Sequence, residues 1–287
     1  MKLIHWMLLA TVLVAGGASA QSWAWDDGTV PFVTSPPEVV DRILRLAEPK
    51  AGEYLVDLGS GDGRIVIEAA RRFGTRGLGV EIDPALVARA RENARRAGVE
   101  SLARFEAQDL FDTDLRGVDI VTMYLLPEVN LKVMPRLLQD LKPGARVVSH
   151  DYDMGAWQPD EIIELPVAEK MIGPIGRSRI YLWVIPANAR GLWTSDLPGY
   201  GGDWEFRIAQ IHQLLDAAAR ARGRELIVRG SRLRGEELKL VVTGNLDGKA
   251  RNLLFRGLLK GDRIEGEVSI SDGENNTTLP WTATRKP

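Results

Sequence analysis

Apolar and polar positions follow two rhythms along residues 36–186. Short apolar runs recur in "EYLVDLG", "RGLGVEID", "LARFEAQD", "VDIVTMYL" and "ARVVSHDYD", each bounded by turn residues, and they read as buried strands. Between them lie stretches whose apolar residues fall every three or four positions. "PPEVVDRILRLA" places Val39, Val40, Ile43, Leu44 and Leu46 in that way, and "GRIVIEAARRFG", "PALVARARENARRAG" and "PEVNLKVMPRLLQDL" follow suit. This spacing predicts helices. Ser35 is the expected N-cap of the first, Gly74 ends the second, Asp83 and Pro84 open the third, and Lys142-Pro143-Gly144 stops the fourth. The alternation predicts an α/β fold, a parallel sheet with helices on both faces. "DEIIELPVA" and "RSRIYLWVIPA" have no helix between them and predict an antiparallel hairpin at one sheet edge.

The rhythm changes near Pro186. "ELIVRGSRLRG", "ELKLVVTG", "NLLFRGLLKG", "DRIEGEVSI" and "TTLPWTATR" are short strands separated by Gly- and Asn-rich turns, the pattern of an antiparallel meander or small barrel. Among them, "AQIHQLLDAAARARG" reads as a helix by propensity. The predicted organisation is a signal peptide over 1–20, an extended segment over 21–35, an α/β domain over 36–190 and a β-rich domain over 191–287.

The amino terminus adds a compartment to this picture. Lys2, the apolar run "LIHWMLLATVLVAGG" and Ala18-Ser19-Ala20 before Gln21 form the pattern of a cleaved export signal. The expected location is the periplasm or the exterior. The alternative is an uncleaved anchor holding the protein at the membrane and facing the cytoplasm, although the run is short against the roughly 20 residues of a span.

Composition narrows the chemistry. A formal net charge of -2 gives no overall field to draw in nucleic acid. The chain has no cysteine, which excludes thiolate metal sites, thiol nucleophiles and disulfides. No metal is expected, because His150, Asp151 and Asp153 have no further ligands at a recognisable spacing.

The chemistry concentrates in "VDLGSGDGR". Gly59, Gly61 and Gly63 alternate, and Arg64 stands where a dinucleotide fingerprint has its third glycine. No Gly-Lys-Ser/Thr follows, so the stretch is not a phosphate-binding P-loop. Asp57 and Asp62 flank the glycines and suit a cationic ligand rather than a pyrophosphate.

With these residues the chain resembles the class I S-adenosylmethionine-dependent methyltransferases over roughly residues 30–186. The resemblance implies a Rossmann-like fold with a mostly parallel seven-stranded sheet, and S-adenosyl-L-methionine as cofactor. It places Asp57, Gly59, Ser60, Gly61, Asp62 and Gly63 around the amino-acid tail of the cofactor. Glu81, at the end of the second strand, takes the ribose hydroxyls. Ile82, Gln108, Asp109 and Leu110 border the adenine, and Thr34 and Tyr124 complete the pocket. "TSPPEVVDRIL" and "DLGSGDGRIVIEAA" are most similar to the lysine methyltransferases of mitochondrial membrane proteins, whereas "YLLPEVN" and "SHDYDM" depart from that pattern. The implied reaction is N-methylation of an amine acceptor, a protein lysine or a small molecule. Tyr124, Asp151 and Asp153 are the expected catalytic residues, and nucleic acid is not an expected partner. The rival reading is a ligand-binding envelope protein that keeps the fold without catalysis.

Overall fold

The computed structural model describes residues 32–168 and 174–287. The expected signal peptide and the extended segment up to residue 31 lie outside the described residues.

The elements of the first half run α1 (Pro37–Ala47), β1 (Tyr54–Leu58), α2 (Arg64–Phe73), β2 (Arg76–Glu81), α3 (Pro84–Arg96), β3 (Ala103–Ala107), β4 (Ile120–Met123), α4 (Pro127–Asp140), β5 (Arg146–His150), β6 (Glu161–Pro166) and β7 (Arg177–Val184). The sheet order is β3-β2-β1-β4-β5-β7-β6. Strands β1 to β5 are parallel, and β7 runs antiparallel between β5 and β6, so the expected hairpin forms the edge. The order reverses between β1 and β4, and the ends of β1, β2, β3 and β4 therefore open into one crevice, where open α/β sheets bind ligands.

Each helix buries the face its periodicity predicts. Val39, Val40, Ile43 and Leu44 of α1 join Val66, Ala69 and Ala70 of α2 and Val87, Ala90 and Ala94 of α3 in one core. Alternate residues of β7 split between the two faces of the sheet. Ile180, Leu182 and Val184 enter that core, while Trp183 packs on Trp157 with ring centroids 5.8 Å apart. Asp83 caps α3 by accepting the Ala85 N–H at 2.8 Å, as expected. Ser35 does not cap α1. Pro36 occupies that position without a side-chain bond, because the Ser35 hydroxyl bonds to His150 instead.

The second half is a closed barrel of β8 (Gly191–Leu197), β9 (Gly202–Ile211), β10 (Leu214–Ala221), β11 (Arg224–Arg234), β12 (Glu237–Leu246), β13 (Lys249–Lys260), β14 (Arg263–Ser271) and β15 (Asn276–Arg285). Trp204, Phe206, Phe255 and Trp281 fill it, with edge-to-face contacts of 5.0–5.9 Å between centroids. The helix expected over "AQIHQLLDAAARARG" is instead the β9–β10 hairpin. Ala219 and Ala221 pair with Phe206 and Trp204 and are buried, so the alanines are the small partners that let the large rings fit. Helix propensity, at most about 0.7 kcal/mol per ordinary residue, yields to that packing.

Candidate active site

The glycine loop joins β1 to α2 and turns back under β2. The Gly59 and Ser60 N–H groups both donate to the Val80 carbonyl, at 3.0 and 2.9 Å. Gly61 has φ +52, and a Cβ there would stand 2.6 Å from the Phe32 ring. The crowding at Gly61 therefore comes from the segment before α1, where the glycine pattern alone suggests a ligand. Gly63 is the left-handed N-cap of α2.

Three acids surround this loop in three different states. Asp57 is buried on β1 and accepts a 2.7 Å bond from the Thr122 hydroxyl on β4. Burial above all, with the Glu81 and Asp62 charges adding to it, pushes its pKa up to about 7, and the Thr122 bond offsets only part of the rise. Asp62 is occupied by Arg64, which donates to both of its oxygens at 2.9 and 2.6 Å and also to the Ser35 carbonyl at 2.6 Å. The residue in place of a third glycine thus ties the loop to the chain before α1. Glu81 accepts the N–H groups of Gly61 (3.0 Å), Ile82 (2.8 Å) and Asp83 (3.1 Å), and so fixes the end of β2 to the loop.

The side of the crevice beyond Glu81 is apolar and open. Ile82 is 66% exposed, an unusual state for an isoleucine directly after a buried strand. The Gln108 N–H donates to the Glu81 carbonyl at 3.0 Å, which holds the β3 end beside it. Asp109 accepts the Phe111 N–H at 2.8 Å and starts the short turn Leu110–Asp112. Thr34 is exposed on the segment before α1.

The ends of β4 and β5 form a buried polar cluster. The Tyr124 hydroxyl is hydrogen-bonded to the Asp151 carboxylate, and burial followed by the Asp151 charge raises the phenol pKa far above its ordinary value. The Tyr124 ring lies 3.9 Å from His150 between centroids. His150 is clasped by Ser35 at Nδ1 and Ser178 at Nε2, both at 2.9 Å. Asp151 is buried with φ +64, and its Oδ1 accepts the Arg179 N–H at 3.1 Å. Asp153 does not join this cluster. It is exposed and accepts the Gly155 N–H at 2.9 Å, closing a turn. Asn130, wholly buried on α4, donates to the Tyr152 carbonyl at 3.0 Å and to Ser149 Oγ at 3.1 Å, and holds the loop between the two aspartates.

A family model described as the ANTKMT methyltransferase domain matches residues 57–161. A protein-lysine N-methyltransferase of Saccharolobus islandicus (strain REY15A) is 39% identical over 137 residues, which are 47% of this chain and 85% of that enzyme. The chain belongs to this family of S-adenosylmethionine-dependent methyltransferases. The adenine nucleotide translocase lysine N-methyltransferase of Mus musculus is 38% identical over 135 residues, and the chain spans only 58% of its length. A solved RNA methyltransferase from Salinibacter ruber, in complex with S-adenosyl-L-homocysteine, is 50% identical with a TM-score of 0.50, covering 54% of this chain and 95% of that one.

The family match runs on through 124–161 and so spans "YLLPEVN" and "SHDYDM". The residues of this methyltransferase also fit its cofactor. Asp57 places a buried carboxyl group near the end of β1, beside the crevice. Glu81 ends β2 where ribose hydroxyls bind in such folds, and the exposed Ile82 offers an apolar face to a flat ring. Sequence reasoning missed Ser35, Phe32, Thr122 and Asn130 as parts of the site, since each meets its partner only through the fold. A cavity of about 530 Å³ on the barrel wall, lined by Arg232, Lys239, Arg256 and Glu267 among others, includes none of the expected site residues.

Proposed function

We propose that this methyltransferase methylates the ε-amine of a protein lysine, with a small amine as the second choice of acceptor. The carrying observation is the Tyr124–Asp151 pair, a half-buried phenol bonded to a buried carboxylate at the adjacent ends of β4 and β5. The cofactor supplies an electrophilic methyl group on a sulfonium. On the protein side, Asp57 and Glu81 hold the cationic tail and the ribose, while Ile82, Gln108, Asp109 and Leu110 border the adenine. The Asp151 carboxylate attracts the acceptor ammonium and Tyr124 Oη orients it, so that positioning supplies much of the acceleration. The attacking amine must be neutral, and its proton leaves to Asp151 or to water.

The activities of the archaeal and mouse relatives support this reading. A net charge of -2 offers little attraction to RNA. We further propose that the chain divides near residue 190 and that the amino-terminal leader exports the enzyme or ties it to the membrane. Fractionation, together with sequencing of the mature amino terminus, tests the leader: a start at Gln21 supports export.

The acceptor is tested by incubating enzyme and methyl-labelled cofactor with extract of its own cells, then treating with ribonuclease or protease. Label that resists ribonuclease and is recovered as methyllysine supports the proposal. Label in RNA overturns it. Cofactor binding without transfer to any acceptor favours the non-catalytic reading.

A further inference from the structure

The connection after β5 carries the acceptor side of the site, and it crosses to β6 with no helix. Asp151 to Asp160 is instead a loop pinned at both ends to β7. The Asp151 N–H donates to the Arg179 carbonyl at 2.7 Å, and the Asp160 N–H to the Leu182 carbonyl at 2.8 Å. Its middle rests on Trp157, which is wholly buried. The Trp157 carbonyl accepts the Trp183 indole N–H at 2.8 Å from the sheet side.

The other support comes from the barrel. Ile211 and Leu214 pair across a two-residue turn, His212-Gln213, at the end of the β9–β10 hairpin. The Trp157 indole N–H donates to Gln213 Oε1 at 2.9 Å, and the Gln213 amide donates to the Gln158 carbonyl. Gln213 is 9% exposed, and its bond to the Trp157 indole is shielded from water. The His212 ring lies 5.7 Å from the Trp157 ring between centroids.

His212 has φ +53, a left-handed conformation that glycine adopts freely and an L side chain adopts under strain. Arg222 (φ +48) and Asp247 (φ +53) share this conformation at two other two-residue turns of the barrel, so it belongs to tight hairpin geometry, and what sets His212 apart is that its ring faces Trp157. The matched archaeal relative has 85% of its length within the methyltransferase half, so too little of it remains for an eight-stranded barrel. The barrel contact is thus an addition to the fold that this relative has.

We propose that the His212-Gln213 turn is a positioning element for methyl transfer. It fixes Trp157, hence the loop from Asp151 to Gln158, and makes the barrel a working part of the acceptor site. The role rests on the assignment of the Asp151 end of this loop to the acceptor, made above. His212 and Gln213 act through Trp157 and contact neither the acceptor nor the cofactor.

The test uses the full chain with two substitutions. His212→Gly removes the ring and relieves the strained φ. Gln213→Met removes both hydrogen bonds at similar volume. Amide hydrogen exchange over residues 151–158, the melting temperature, the dissociation constant for S-adenosylhomocysteine, and KM and kcat for poly-L-lysine are measured for each. The expected result is exchange at least tenfold faster over 151–158 in Gln213→Met. KM for poly-L-lysine should rise at least fivefold in both variants, with the cofactor constant within twofold of wild type. Unchanged exchange with unchanged KM overturns the proposal, and so does a cofactor constant that shifts as much as KM. If the wild-type enzyme does not methylate poly-L-lysine, the lysine reading is at fault, and the exchange measurement alone decides whether the turn holds the loop.

Discussion

Asp57 on β1 faces Thr122 on β4 as its register partner, and the 2.7 Å bond between them lies wholly in the interior. Among the described residues no cationic side chain balances the carboxylate. Burial first, then the Glu81 and Asp62 charges, raise its pKa to about 7, so the folded protein binds a proton there that the unfolded chain releases near the ordinary value of 3.8. The stabilisation from that proton is complete below pH 4 and is lost as pH rises through about 7. Asp57→Asn should therefore raise stability at pH 8, by about 1–3 kcal/mol after allowing for an unsatisfied amide N–H. The expected rise in melting temperature is roughly 3–8 °C. The gain over wild type should shrink steadily as the pH is lowered from 7 to 4. A variant less stable than wild type at pH 8 would remove Asp57 as a source of strain.

The same carboxylate ties cofactor binding to pH. A cationic ligand group beside Asp57 favours its ionised form, so binding expels the proton. Affinity should be constant above pH 8 and fall by up to about tenfold per unit below pH 7. Titration calorimetry of S-adenosylhomocysteine at pH 6 in two buffers of different ionisation enthalpy checks this. The apparent heats should differ by nearly one proton. Identical heats in both buffers would mean that Asp57 does not meet the ligand's ammonium.

Glu81 supports the glycine loop through three backbone N–H bonds, to Gly61, Ile82 and Asp83. Bonds to a charged group contribute about 1.5–3 kcal/mol each. Glu81→Ala should thus lower the melting temperature and weaken cofactor binding about 10- to 100-fold or more. Glu81→Gln keeps an acceptor oxygen and should lose less of both. Calorimetry on the two variants decides; a dissociation constant unchanged in Glu81→Ala contradicts the assignment.

The parts of this fold legible in the sequence are those governed by neighbours in the chain. The alternation of glycines at 59, 61 and 63, the Asp83-Pro84 helix start and the helical stripe of α1 all depend on residues within one turn of each other. The parts a local reading misses depend on distant partners. Ser35 looks like an N-cap until His150, 115 positions away, takes its hydroxyl. "LLDAAARA" looks helical until Trp204 and Phe206 pair with its alanines. Asp151 and Asp153 look like a matched pair, yet a left-handed backbone at Asp151 turns one inward and leaves the other in solvent. In each case a local preference of about 1 kcal/mol or less met a buried contact of larger worth.

Tyr124 stays protonated throughout the working pH range, because burial and the Asp151 charge both oppose its ionisation. It can orient an amine but cannot act as its base. Tyr124→Phe removes the bond to Asp151 while keeping the ring that packs 3.9 Å from His150. The expected result is a fall of about 10- to 100-fold in kcat, matching the loss of a hydrogen bond to a charged group. Cofactor affinity should change less than threefold. The pH-rate profile should keep its rise with pH, since that rise reports the acceptor amine losing its proton. A Phe variant with wild-type kcat would exclude Tyr124 from the acceptor site.

The two halves of the chain should differ in how well they survive separation. The barrel closes on itself around Trp193, Trp204, Phe206, Phe255 and Trp281, all buried within it. Little of that core depends on the sheet, and residues 186–287 should fold alone with a cooperative melt. The sheet half is less complete. Removing the barrel takes Gln213 from the Trp157 indole and His212 from its ring, and opens the cover over Trp157. One buried donor left to water and part of an indole face exposed cost about 2–4 kcal/mol together. Residues 32–190 should accordingly melt about 5–15 °C below the full chain. They should still bind S-adenosylhomocysteine, because no barrel residue lies among those assigned to the cofactor. An isolated sheet half that melts with the full chain would show that the Gln213–Trp157 contact contributes nothing. An isolated half that loses the cofactor would show that the barrel shapes the glycine loop as well as the loop after β5.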